Sequence, residues 1–218
     1  MNKKISSAMM LIINYYSTFY VIVGVGILYA FTSSTTSILL FIITWIYLLP
    51  PLMCRFFIVI FGRPVGTVNT DSQIFLNWWF LTQIQIIFSR FPFLEELLRL
   101  FPGVYNLWLN LWGGNVSLLT YWSPGVTVID RYHINVGRRT IIGGGCRIGA
   151  HLISIGDDGG QRLTVAPLEI EDNCVIGFHA AIGPGCHVYA NETVPANKIL
   201  KPFYSWKDGK VKRPVNTD

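Results

Sequence analysis

Four histidines, at positions 133, 151, 179 and 187, are the side chains of this sequence best suited to moving protons near neutral pH. An imidazole titrates close to working pH, so a positioned ring can take a proton from a nucleophile and return it to a leaving group. Asp130 precedes His151 in the same stretch of chain. A carboxylate within reach of an imidazole holds one tautomer and stabilises the imidazolium that forms. Just beyond His151 the stretch Ser154 to Val165 (SIGDDGGQRLTV) is rich in Gly and Asp, the composition of a functional loop. Lys198 and Lys201 open a basic C-terminal stretch suited to phosphate groups. No C-x-x-C pair suggests a metal site, and no metal is expected.

These residues sit in a segment with a period of six. Branched apolar residues recur at Val136, Ile142 and Ile148, then at Ile170, Ile176, Ile182, Val188 and Val194. Glycine follows at 137, 143, 149, 177 and 183. Small or apolar residues come four positions after the branched ones: Thr140, Cys146, Leu152, Cys174, Ala180 and Cys186. Neither a helix nor an alternating strand keeps a period of six on one face. A triangular coil does: three hexads make one turn, and stacked turns line the branched residues up in a continuous core. On this register the three cysteines are inward and structural. His133 should stack on His151, which comes three hexads later, and Asp130 should lie one turn above His151 as well. Asp130 also occupies a phase where the repeat wants a branched residue, although Val128 and Ile134 suggest a shifted phase in the first coil. The step from Ile148 to Ile170 reads as one turn plus four, so a loop must leave the prism there.

The I-G pairs at this six-fold spacing resemble the hexapeptide-repeat acyltransferases, over about Pro124 to Pro202. The resemblance implies a left-handed parallel β-helix, usually trimeric, with active sites between neighbouring subunits. It also implies a histidine as general base toward an acceptor hydroxyl or amine, and a thioester of coenzyme A or a carrier protein as acyl donor. His151, in "GAHL" before the loop, is similar in position to that family's histidine, with His179 its rival and Asp130 a supporting carboxylate. Lys198 and Lys201 would meet the donor's phosphates. A backbone N–H beside the base would stabilise the oxyanion.

The element that places this chemistry is at the N-terminus. Hydrophobic residues make up 51% of the 218 and charged residues 13%, and from Ile5 to Cys54 there is no Asp, Glu, Lys or Arg. This excludes an ordinary soluble domain and a disordered chain. Met9 to Phe31 and Ile38 to Phe61 are each long enough to span a bilayer, joined by the polar turn Thr32 to Ser37. Pro50-Pro51 should kink the second or end it near Leu49. A signal peptide fits poorly: the apolar stretch is too long and no A-x-A site follows. Lys3 and Lys4 before the first span, with Arg55 and Arg63 at the end of the second, predict both termini and the repeat on the cytoplasmic side of the inner membrane.

Between hairpin and repeat lies a tryptophan-rich segment, with Trp78, Trp79, Trp108, Trp112 and Trp122. Asp71 or Ser72 would cap a helix running to about Ser89, lying in the membrane interface or packed on the catalytic domain. Pro92 stops it, and Phe93 to Leu100 makes a short amphipathic helix. The chain therefore reads as a mainly β protein: a transmembrane hairpin (1–63), interfacial or cap helices (64–124), a β-helix (125–200) and a basic tail (201–218).

The expected function is membrane-bound acyl transfer to a lipid-linked or amphiphilic acceptor by a homotrimer. Such an acceptor gives the hairpin a purpose. The net charge of +5 suits phosphates and anionic lipids, and no motif supports nucleic-acid binding. One alternative is a non-catalytic trimeric scaffold on the same fold. Another is a zinc hydratase of the carbonic anhydrase type, whose family pattern places two histidines close together in sequence. The spacings here are 18, 28 and 8.

Overall fold

The computed structural model describes residues 7–31, 34–156 and 158–213. Lys3 and Lys4, the Thr32–Ser33 part of the polar turn, Asp157 of the loop and the last five residues lie outside them.

Helix α1 (Ser7–Phe31) is followed by one long rod made of α2 (Thr35–Ile42), a π-helical turn (Ile43–Leu48) and α3 (Leu49–Phe61). Ser34 caps the rod, its hydroxyl accepting from the Ser37 N–H at 3.2 Å. Both helices are long and apolar enough to cross a membrane, over Ala8–Phe31 and Thr35–Phe61, 24 and 27 residues. Pro50-Pro51 neither ends nor breaks the rod. The π turn absorbs the pair: the Leu49 N–H reaches back to Thr44 O, one residue further than in an α-helix. The carbonyls ahead of the pair lose their helical partners in consequence, and side chains serve two of them. Trp45 O is taken by the Tyr20 hydroxyl of α1, and Tyr47 O, which Pro51 cannot serve, by Trp108 Nε1 at 2.9 Å.

After β1 (Gly66–Asn69), helix α4 (Gln73–Arg90) starts at Ser72, whose side chain accepts from the Phe75 N–H at 3.1 Å. Of the two placements expected for this helix, the structure has it packed within the protein. It lies between α1 and α3 on one side and the strands on the other, with Trp78, Leu81, Ile84 and Phe88 buried. Trp79 Nε1 ties it to Asn14 of α1 at 2.7 Å. Helices α5 (Phe93–Arg99) and α6 (Val104–Leu111) complete the layer. No pattern in the sequence had marked α6. Arg55 and Arg63 fasten the rod to this layer, donating to Asn110 O at 2.9 Å and Gly113 O at 2.7 Å.

The remaining chain forms three sheets of short parallel strands, visited in rotation. One holds β2 (Asn115–Val116), β5 (Ile134–Val136), β10 (Leu168–Ile170), β13 (His187–Val188) and β16 (Ser205–Lys207), with β17 (Lys210–Lys212) added antiparallel. The second holds β3 (Tyr121–Trp122), β6 (Ile141–Ile142), β11 (Val175–Ile176) and β14 (Thr193–Val194). The third holds β4 (Thr127–Ile129), β7 (Arg147–Gly149), β12 (Ala181–Ile182) and β15 (Ile199–Leu200). All eight branched residues of the repeat are buried in one core, with Cys146, Cys174 and Cys186 among them as free thiols. Glycine is needed where turns approach closely: a Cβ on Gly143 would lie 2.6 Å from Ile176 O.

Several expectations change. The stack begins at Asn115, ahead of the resemblance, and runs on to Lys207. More of the described residues are helical than extended, so the chain is mixed rather than mainly β. The turns are regular only beyond Ile170, where Ile182 pairs with Leu200 three hexads on. The earlier step from Val128 to its partner Ile148 is longer by two, and that from Ile148 to its partner Ile182 is longer by sixteen. The break after Ile148 thus inserts sixteen positions, not four. They form an arm, β8 (His151–Ile155) against β9 (Gln161–Val165), which β1 extends to three antiparallel strands. Leu152, expected inside the prism, is exposed on this arm, and Ala150 fills the core in its place.

Candidate functional site

The corner after β4 is built by burying charge. Asp130 takes the left-handed conformation at φ 57°, which Asp tolerates better than most residues. Arg131 then turns inward and is fully buried. Its N–H and Nη1 donate to Gln85 Oε1 of α4 at 3.0 and 3.1 Å, and its Nε and Nη2 to Glu95 Oε1 of α5. The rings of Phe88, Trp108 and Trp112 surround the guanidinium with centroids at 5.5, 5.6 and 5.7 Å. The other oxygen of Glu95 accepts from Arg99 at 3.0 Å and from the Tyr105 hydroxyl at 2.6 Å. A buried ion pair holds only when its remaining bonding capacity is met, and here it is shared among several side chains.

This staple aims Asp130. Its carboxylate is 0% exposed, with Oδ1 accepting from Trp78 Nε1 at 3.1 Å and Oδ2 lying 2.5 Å from His151 Nδ1. Stacking of β4 on β7, with Ile129 opposite Gly149, brings these two distant residues together. The Trp78 ring also meets the His151 ring edge-on at 4.7 Å. Nδ1–H therefore donates to Asp130, which leaves the lone pair on Nε2. Among the described residues no hydrogen-bond partner meets Nε2, and the His151 side chain is 22% exposed. Burial alone would push the His151 pKa down, but the hydrogen bond and charge of Asp130 together outweigh it and raise it. A buried carboxylate, a fixed tautomer and a half-buried ring with one free nitrogen are the features that general-base chemistry requires.

The other sequence candidates lie elsewhere. His133 does not stack on His151, because the first coil is longer by two than the regular turn. It is buried, its Nε2–H donates to Pro64 O at 2.8 Å, and burial lowers its pKa, so it anchors the chain leaving α3. His179 sits exposed in the turn before β12, whereas His151 follows β7. These strands are parallel neighbours, so the two histidines are at opposite ends of one sheet. His179 Nδ1 faces Gly145 O at 3.3 Å. Lys198, before β15, lies over the Trp206 ring at 5.5 Å, and Lys201, after β15, is exposed. Both are two strands from β7. Among the described residues, Glu169, Glu171 and His187 bring three ligand-type atoms within 4.8 Å of one another, but His187 Nε2 and Glu171 already bind each other at 2.6 Å.

Sequence reasoning missed Trp78, Gln85, Glu95 and Arg131. The available signal was polar residues stranded in apolar helices: Gln85 in the stripe of α4, and Glu95 in FLEELLRL.

The site is thus a buried Asp–His pair at a corner of a three-sheet parallel stack, closed by a tryptophan from a helical layer that is packed on two long apolar helices. No family model matches the chain, and no curated protein matches it. Among solved structures, the hexapeptide-repeat-containing acetyltransferase of Vibrio cholerae is 16% identical, over 60% of this chain and 91% of that one, with a TM-score of 0.35. Serine acetyltransferase 1 of Entamoeba histolytica, bound to L-cysteine, is 12% identical over 91% and 79% of the two chains, with a TM-score of 0.22. Likenesses this distant establish neither family nor activity for this chain.

Proposed function

We propose that the protein is a membrane-bound acyltransferase whose three-sheet stack is a left-handed parallel β-helix of the hexapeptide-repeat kind. One observation carries this reading: Asp130, fully buried, lies 2.5 Å from His151 Nδ1 and leaves Nε2 unpartnered among the described residues. His133, by contrast, is buried and held by a backbone group, its Nε2 against Pro64 O.

In the proposed reaction His151 Nε2 takes the proton from an acceptor hydroxyl or amine as that group attacks the thioester carbonyl. The tetrahedral intermediate collapses, the C–S bond breaks, and the leaving thiolate takes the proton back from the imidazolium. Asp130 holds the tautomer and stabilises the imidazolium between the two steps, and Trp78 holds Asp130. The donor is a coenzyme A or carrier-protein thioester. Lys198, Lys201 and the basic stretch Lys207 to Arg213 supply charge for its phosphates. The two apolar helices span the inner membrane with both ends cytoplasmic, and the acceptor is lipid-linked or amphiphilic. The working unit is a homotrimer.

His151→Ala should lower acyl transfer by about 10²- to 10⁴-fold while the protein stays folded and membrane-bound. Mass spectrometry of lipids and glycolipids from cells with the wild type, the variant or neither would identify the acceptor and the acyl length together. An acylated species made equally by the variant removes His151 as the base.

A further inference from the structure

Helix α4 is interior, so the lipid-facing surface of the tryptophan-rich layer must be looked for elsewhere. It is found on α5 and its flanks, where Phe91, Phe93, Leu97, Leu100 and Phe101 are all exposed. Leu100 is 71% exposed, Phe101 63% and Phe93 58%. Leu107 of α6 is exposed as well. Two of the three charges on α5 are withdrawn from water; the third, Glu96, is 37% exposed and pairs with Arg99, and Arg90 stays exposed just ahead of the patch. Glu95 and Arg99 face the protein and are consumed in the network around Arg131.

The patch is fastened to the middle of the apolar rod. The Tyr47 hydroxyl donates to Leu94 O at 3.1 Å, at the start of α5, and Trp108 Nε1 donates to Tyr47 O at 2.9 Å. Tyr47 lies near the midpoint of the rod Thr35–Phe61, which has 27 residues. At about 1.5 Å per residue that rod is about 40 Å long, against a hydrocarbon core of about 30 Å. A rod crossing that core has its middle in hydrocarbon, and whatever is bonded to its middle goes in with it. The outward faces of the rod and of α1 are apolar in the same way, with Leu39, Leu40, Val21 and Ile22 exposed. Satisfaction of Trp45 O and Tyr47 O by side chains is also what a helix needs where no water can serve a freed carbonyl.

We propose that α5 and its flanking residues are sunk into the acyl-chain region of the cytoplasmic leaflet, as a second membrane-inserted element beside the hairpin. This rests on the reading of the two long helices as membrane spans. It ties the bilayer to the site through a short path, since Glu95 of the inserted helix grips Arg131, the neighbour of Asp130.

The test is a depth measurement on the full chain in phosphatidylcholine–phosphatidylglycerol nanodiscs. The four native cysteines are buried, so a nitroxide can be directed to single new thiols at Leu100→Cys, Phe101→Cys and, as a third independent position, Leu97→Cys. Val25→Cys in α1 serves as the lipid reference and Lys210→Cys in the terminal hairpin as the water reference. Electron paramagnetic resonance power saturation then compares oxygen with a water-soluble nickel complex. The proposal expects the α5 labels to match Val25, with oxygen exceeding nickel several-fold. It is overturned if they match Lys210, or if neither reagent reaches them, which would mean a second protein covers the patch. A water-accessible Val25 label would overturn the spanning reading itself, and the insertion of α5 with it.

Discussion

Asp130→Asn tests the site most directly. The substitution keeps shape and volume, and its amide oxygen still accepts from Trp78 Nε1. Its NH₂ then faces His151 Nδ1, which must become an acceptor, so the ring proton moves to Nε2, the atom required as base. The lost interaction is a 2.5 Å contact to a carboxylate that is fully buried. A charge-assisted hydrogen bond contributes about 1.5–3 kcal/mol, or about one to two decades in rate. The wrong tautomer adds to that, and together they place the loss in kcat at about 10²- to 10⁴-fold. The pH profile should move as well. A general base works only when unprotonated, so wild-type activity falls as pH drops through the raised His151 pKa, above the ordinary imidazole value of about 6.5. Without the carboxylate charge only burial acts on His151, so the acid limb of the variant moves to lower pH. The linked stability effect has a fixed sign: a raised pKa stabilises the fold fully below about 6.5 and loses that contribution as pH rises through the folded value. Wild type should therefore exceed the variant in Tm most at acid pH. The assay is thiol release from acetyl-CoA in membranes supplied with a lipid extract, from acid to alkaline pH. A variant with wild-type kcat and an unmoved acid limb would refute the assignment of both residues.

Trp78→Phe keeps the apolar contact but leaves Asp130 Oδ1 without its donor, so it should cost about 1–3 kcal/mol of stability, measured by thermal unfolding in detergent. Its kcat should fall more than its KM rises, because Trp78 acts through Asp130. Arg131→Met strips Gln85 and Glu95 of their partner in the interior and should destabilise by about 3–5 kcal/mol in the same assay. Adding Glu95→Gln should recover part of that loss, since the uncompensated charge is then gone; a double variant no more stable than Arg131→Met would contradict this account.

Features with local causes could be read ahead of the fold. A period of six needs only the spacing of branched residues, and all eight proved inward. The uncharged run needs only composition, and it forms both long helices. The pairing of Asp130 with His151 followed from counting about one turn between them. The same count misplaced His133, because the lengthening of the first coil by two is invisible until the register is seen. The arm of sixteen was read as four because β1, contributed from far earlier in the chain, is what gives it a sheet to join. The proline pair did not end its helix because partners outside it, Tyr20 and Trp108, serve the freed carbonyls.

The stack, the apolar helices and the two residues of the pair are matters of periodicity, length or spacing along one chain, and the order of residues was enough to specify them. The side chains that hold the pair in place are not. Trp78 reaches Asp130, and Glu95 reaches Arg131, across separations that no rule of spacing links. They meet because a buried charge is stable only beside the few groups able to bond it, and which groups those are depends on how the helical layer packs on the first coil.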